Sequence, residues 1–263
     1  MTSIPAATVI LLRDSPDGPE ILMVRRGDNL AFAGGALVFP GGRIDDADLI
    51  TSRDPALAVG FDGLDDADAA ARIACTREAL EETGVLLTSG DAPDPVALAQ
   101  ARARLSAAPD ADEACSFAAI LCGLDHRVDA ARFQPFARWE PPSKAPIKRR
   151  FDTYFYVADA GNTASAAISP DGNEAVAIHW TTAAAALAAD ADGSGPLVFP
   201  TKCNLQRLGQ YPSVAAILTM AGATPPPYIQ PEIVTRDGET WIIIPEGLDY
   251  PVTGEPIALV RRE

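Results

Sequence analysis

The sequence predicts an α+β fold, and three observations predict it. The chain opens with two apolar, β-rich runs joined by turn residues, an acidic helix closed by glycine follows within its first third, and its second half alternates strand-like runs with helical stretches. Of its 263 residues 48% are apolar, enough for one large domain or for a smaller one with sizeable additions. No apolar run reaches the roughly 18 residues of a membrane span, and Met1-Thr2-Ser3-Ile4-Pro5 places no basic stretch before an apolar core, so the reading is an unexported, cytoplasmic protein. A net charge of -15 disfavours long nucleic acid as a partner. Small phosphorylated molecules remain open to it, because local cations can offset their charge. Cys75, Cys115, Cys122 and Cys203 make no CxxC pair and no paired spacing with His126 or His179. They read as reduced core residues rather than a zinc site.

In chain order, residues 7–13 and 20–26 read as a hairpin about the turn residues 14–18. Arg25 and Arg26 close its second strand ahead of a glycine-bearing loop, 27–35. Arg26 either meets a substrate phosphate or is simply solvated, and Phe32 in the loop is either a stacking ring or a plug over the core. A strand-like run, 36–39, then breaks at Pro40-Gly41-Gly42, whose bare amides can approach a phosphate closely. Residues 43–68 are aspartate-rich with scattered apolar side chains, and read as a loop with at most one short helical turn. Asp65 or Asp66 caps a helix that runs to Glu82.

Asp94-Pro95 opens a helix over 96–107, and a second over 112–124 carries Phe117, Ile120, Leu121 and Leu124 on one face. Strands follow at 133–139 and 150–158. Between them Lys144, Lys148, Arg149 and Arg150 form a basic cluster, which either clamps a phosphate or is an exposed loop. A strand at 175–180 is preceded by Glu174, either an additional acid for a site or a turn-flanking carboxylate. Helices are expected at 181–189, 202–209 and 213–220, with a flexible link at 190–196, and a hairpin of 228–235 with 239–244 turns at Arg236-Asp237-Gly238.

Chemistry concentrates in Arg77-Glu78-Ala79-Leu80-Glu81-Glu82-Thr83-Gly84-Val85. Glu78, Glu81 and Glu82 stand at i, i+3 and i+4 and share one helix strip, where like charges repel by a few tenths of a kcal/mol per pair even in water. Oxygen donors grouped in this way suit a hard divalent ion, Mg2+ or Mn2+. Arg77 is within i, i+4 reach of Glu81, and Gly84 fits the left-handed position that ends a helix.

The glycine break, the acidic helix and the glycine stop together resemble the Nudix hydrolase family. Its box reads Gly, five residues, Glu, seven residues, then Arg-Glu, an apolar residue, any residue, Glu-Glu, any residue, Gly and an apolar residue, and residues 77–85 match its second half position by position. Gly42 lies 35 positions before Arg77 where the box has 14, which implies an insertion of 21 residues, placed at 43–68. Counting forward from Gly42 puts Asp48 in the place of the first glutamate, while counting back from Arg77 lands on Gly63 and Ala69, so Asp48 or Asp68 is the substitute for that glutamate.

The resemblance implies a single domain over 1–263, an α/β/α sandwich around a mixed sheet, with a helical cap at 93–125. It also implies Glu78, Glu81 and Glu82 as metal ligands, Glu78, Glu81 and Arg77 as catalytic residues, and Gly41, Gly42, Arg26, Lys148 and Arg149 against substrate. Asp48 and Glu174 are the possible extra acids. Phe39 to Asp45, Arg150 to Val157 and Pro200 to Leu205 look like the branch containing the peroxisomal coenzyme A diphosphatases. That likeness implies metal-dependent cleavage of a nucleoside diphosphate-linked compound, coenzyme A or acyl-coenzyme A first, giving adenosine 3′,5′-bisphosphate and 4′-phosphopantetheine. The alternatives are a nucleotide-binding module without catalysis, or a hydrolase of ADP-ribose, nucleotide sugars or dinucleoside polyphosphates.

Overall fold

The computed structural model describes residues 3–27, 33–107, 116–143, 149–161, 168–172 and 175–260. Strands β1 (Ile4–Ser15) and β2 (Gly18–Arg26) form the expected hairpin, followed by β3 (Leu37–Val38), β4 (Gly41–Arg43), helix α1 (Asp46–Ser52), β5 (Ala58–Val59) and α2 (Asp66–Thr83). Helices α3 (Pro95–Ala107) and α4 (Phe117–Leu124) lead to β6 (Val128–Asp129), β7 (Gln134–Trp139), β8 (Phe151–Asp159) and β9 (Ala175–Thr182). Then come α5 (Ala183–Asp192), α6 (Phe199–Leu208), α7 (Val214–Ala223), β10 (Tyr228–Ile229), β11 (Glu232–Arg236), β12 (Glu239–Ile243) and β13 (Gly254–Pro256).

The main sheet runs β10-β7-β8-β1-β2-β3, with β4 also paired to β1 and β9 to β2. It is mixed, because β8 lies parallel to β1 and β10 parallel to β7 while the other pairs are antiparallel. The continuous apolar run of β1 has its reason here, since both of its faces are covered. Val9 and Leu11 pack with Ile73, Leu80, Ile120 and Leu121 of α2 and α4. Ile10 and Leu12 pack on the opposite face with Leu205, Leu208 and Ile217 of α6 and α7. The result is a helix, sheet, helix sandwich.

Helix α2 starts at Asp65, whose side chain accepts from the Asp68 N–H, and ends at Gly84 with φ 79°. The Gly84 N–H closes on the Leu80 carbonyl. Gly84→Ala is expected to cost about 1–2 kcal/mol, the penalty of a Cβ in the left-handed region. Urea unfolding measures it, and an unchanged midpoint would contradict the assigned cap.

Several expectations are corrected. Residues 43–68 are more than a loop: they hold α1 and β5, and α1 is tied at its start by the Asp45 N–H donating to Asp48 Oδ2 at 2.9 Å. The single strand expected over 228–235 is two, β10 in the main sheet and β11 in a separate sheet with β12 and β13. Pro231, which has no N–H for a ladder, stands between them. The link expected at 190–196 is helical as far as Asp192, and α6 begins at Phe199, with Pro200 in its first turn. Cys75 and Cys203 are buried as expected, but Cys122 is exposed. Phe32, Cys115 and the first residues of the helix expected over 112–124 lie outside the described residues. Among the described residues no helix is long and apolar enough to cross a membrane.

Candidate active site

The sheet divides at one point. β1 pairs with β2 through Leu12–Ser15 and with β4 through Ala6–Thr8, while the far end of β2 leaves to pair with β3, and β9 runs beside β2 from Glu20 to Arg26. Pro40 bridges the split, its carbonyl accepting from the Val9 N–H at 3.0 Å. The two glycines that follow are required by close approach. A Cβ on Gly41 would lie 2.5 Å from the Ala7 carbonyl oxygen, and one on Gly42 would overlap the Glu78 carboxylate. The glycine break and the acidic helix, separate in the chain, are thus packed against each other. The Gly41 N–H donates to Glu82 Oε2 at 3.1 Å, and Glu82 is only 4% exposed.

Arg77 fixes the neighbouring acid. Its Nη1 donates to Glu78 Oε1 at 2.7 Å, its Nε and Nη2 donate to the two Asp48 oxygens at 3.0 Å each, and Nη2 also reaches the Arg43 carbonyl at 2.9 Å. Burial alone would ease the proton off this guanidinium, but the Asp48 hydrogen bonds and the Glu78 and Asp48 charges outweigh burial and raise its pKa. Arg77 therefore holds Asp48 and Glu78, not the Glu81 expected from helical spacing. A buried, bidentate acceptor on α1 binds an arginine more strongly than a half-buried carboxylate one turn along the same helix.

Arg102 on α3 was not anticipated. Its Nε donates to the Glu81 carbonyl at 2.9 Å and its Nη1 to Ser169 Oγ at 2.8 Å, while its Nη2 is buried without a hydrogen-bond partner among the described residues. Burial lowers its pKa, against the charges of Asp171, Glu81 and Glu82. Asp171, whose Oδ1 accepts from the Ala175 N–H at 2.8 Å, brings a further acid from the loop before β9. Glu174 and Lys148 lie outside the described residues.

On the sheet face opposite α2, a cavity of about 660 Å3 opens beside Gly41. Arg26 and Arg149 line it together with Phe39, Trp139, Phe151, Phe155 and Phe199. Gly41 thus joins the acids on one side to this cavity on the other.

The carboxylates are hard oxygen donors on one helix strip, and that chemistry suits Mg2+ or Mn2+. Among the described residues no group of three acids is drawn to ligand spacing. Glu78 and Glu82 already accept hydrogen bonds from Arg77 and Gly41. An ion would have to share or displace those partners.

No protein-family model matches the chain. Among solved structures it is similar to a Nudix hydrolase from Alicyclobacillus acidocaldarius, at 27% identity and a TM-score of 0.68 over 86% of this chain and 98% of that one. Weaker likenesses include the Nudix domain of Shewanella oneidensis NrtR complexed with ADP ribose, at 14% identity and a TM-score of 0.44 over 80% of this chain and 88% of that one. Another is the MutT protein of Methanosarcina mazei Go1, at 14% identity and 0.41 over 79% and 94%. The chain has the Nudix fold, which it shares with the Alicyclobacillus protein over 86% of its own length.

Proposed function

We propose that this protein hydrolyses a diphosphate bond in a nucleoside diphosphate-linked compound, with coenzyme A or acyl-coenzyme A as the first candidate substrate. The observation that carries the reading is the hydrogen bond from Gly41 to Glu82, which joins the glycine break to the acidic helix across 41 residues of sequence. Glu78, Glu81 and Glu82 would hold Mg2+ or Mn2+. When bound, the ion supplies positive charge to the diphosphate oxygens and lowers the pKa of an attacking water.

The remaining roles fall to the chain itself. Arg77 holds the Glu78 carboxylate in one orientation, and the Gly41 N–H does the same for Glu82. One of Glu78 and Glu81 takes the proton of the attacking water. Arg26 and Arg149, on the cavity wall, receive phosphate charge from the substrate, and Lys148 beside Arg149 would add to it. Asp48 serves as a positioning residue through Arg77. Residues 43–68 as an insertion in the box and 93–125 as a cap belong to the same proposal, the cap contributing Arg102. A soluble nucleotide compound, rather than a polymer, is the expected partner.

The test is a panel of coenzyme A, acyl-coenzyme A, ADP-ribose, nucleotide sugars and dinucleoside polyphosphates, incubated with Mg2+ or Mn2+ and resolved by product mass. The expected outcome is cleavage at the diphosphate, giving 4′-phosphopantetheine products from the coenzyme A compounds. Binding of a panel member with no product under either metal would instead favour a nucleotide-sensing module.

A further inference from the structure

The cavity beside Gly41 is larger than catalysis at a diphosphate needs, and its lining states what it accepts. Its walls include five aromatic rings, Phe39, Trp139, Phe151, Phe155 and Phe199. Four of these rings pair edge-on, Phe39 with Phe155 at 6.5 Å and Trp139 with Phe199 at 6.1 Å. The paired rings present a packed apolar surface to the cavity. The volume lies within the range of roughly 300–1,000 Å3 that encloses drug-sized ligands.

Polar side chains are a minority on the lining: Arg26, Glu140 and Arg149, with the hydroxyl-bearing Thr8, Thr153 and Thr201. The one carboxylate, Glu140, already accepts from the Tyr228 hydroxyl at 2.8 Å and from Gln230 at 3.0 Å. Arg149 is exposed, so positive charge stands on the solvent side, and Gly41 gives the way to the acids. A nucleobase buried here would find the three threonines for some of its ring nitrogens and exocyclic groups, and each one left unmatched among the aromatic and aliphatic walls carries a desolvation penalty. An alkyl chain needs none and gains from every methylene removed from water.

We propose that the cavity binds a long apolar substituent on one side of the diphosphate, so that the substrate is an anionic amphiphile: charge at Gly41 and the two arginines, chain among the rings. This rests on the hydrolase reading only for the position of the diphosphate.

The probes are ADP esterified on its β-phosphate with methyl, hexyl or dodecyl alcohol. Their affinity for the wild-type protein is measured by calorimetry in EDTA, and their hydrolysis is followed separately with Mg2+. Affinity is expected to rise by at least about tenfold from methyl to hexyl, each buried methylene contributing about fourfold at full burial. Ile233, on the cavity wall and 41% exposed, can accept a charge without opening the core. Ile233→Lys is expected to shrink the dodecyl-to-methyl affinity ratio at least tenfold. Equal or absent binding across the three esters overturns the proposal, as does a chain-length dependence that Ile233→Lys leaves intact. Affinity that rises with chain length while no ester is cleaved sinks the hydrolase reading and leaves the cavity assignment standing.

Discussion

Asp48→Ala is expected to destabilise the protein by about 3–5 kcal/mol, the range for removing one partner of a buried ion pair. Asp48 is 2% exposed, and its partner Arg77 has a side chain 13% exposed, so water replaces little of what is lost. Three hydrogen bonds end on this carboxylate: two from Arg77, and one from the Asp45 N–H that starts α1. Its removal unties α1 from α2 and leaves a buried guanidinium with Glu78 as its nearest acid. Asp45 provides the control. It stands 3.7 Å from Arg77 with a side chain 57% exposed, and it caps α1, so the control is Asp45→Asn, which keeps a capping oxygen and is expected to cost less than about 1 kcal/mol through the lost ion pair. Urea denaturation of the two variants decides the matter, and equal midpoints would show that Asp48 is not the anchor of Arg77.

That anchor also shows where sequence reasoning reaches and where it stops. Helix α2, its Asp65 cap and its Gly84 stop were legible because each depends on neighbours within a turn or two of chain. The hairpin of β1 and β2 and the Asp237-Gly238 turn, both with positive φ, were legible for the same reason. Forward counting from Gly42 arrived at Asp48, but nothing in the spacing said that Asp48 would turn toward Arg77, 29 positions away, and take it from Glu81. That choice is made by burial, which strengthens a bidentate pair. Arg102 was hidden for a related reason. It sits with Arg104 in an alanine-rich helix, and only packing against α2 determines which arginine turns inward. The split in the sheet was out of reach too, because β4 pairs with β1 across more than thirty residues and is only three residues long. Without that split the cavity beside Gly41 has no sequence signature, since its aromatic lining comes from the break after β3, from β7 and β8, and from α6.

Glu82→Gln is expected to lower Mg2+-dependent turnover by about 10²–10³-fold, the scale seen when one preorganised electrostatic contact is removed from a reacting centre. The substitution isolates charge from shape. Glutamine keeps an oxygen that can accept from the Gly41 N–H, so the contact that joins the glycine break to α2 can survive. What disappears is a negative charge held 4% exposed, in the field that also reaches Arg102. Folding stability should therefore change little, and the urea midpoint should stay within the range of surface substitutions, about 0.5 kcal/mol. Glu82→Ala makes the complementary case, because it removes both the charge and the acceptor and is expected to lose stability as well as turnover. If Glu82→Gln keeps full activity while Glu82→Ala does not, the side chain acts only as a strut between Gly41 and the helix. The assignment of the acidic strip to a divalent ion would then have to rest on Glu78 and Glu81 alone.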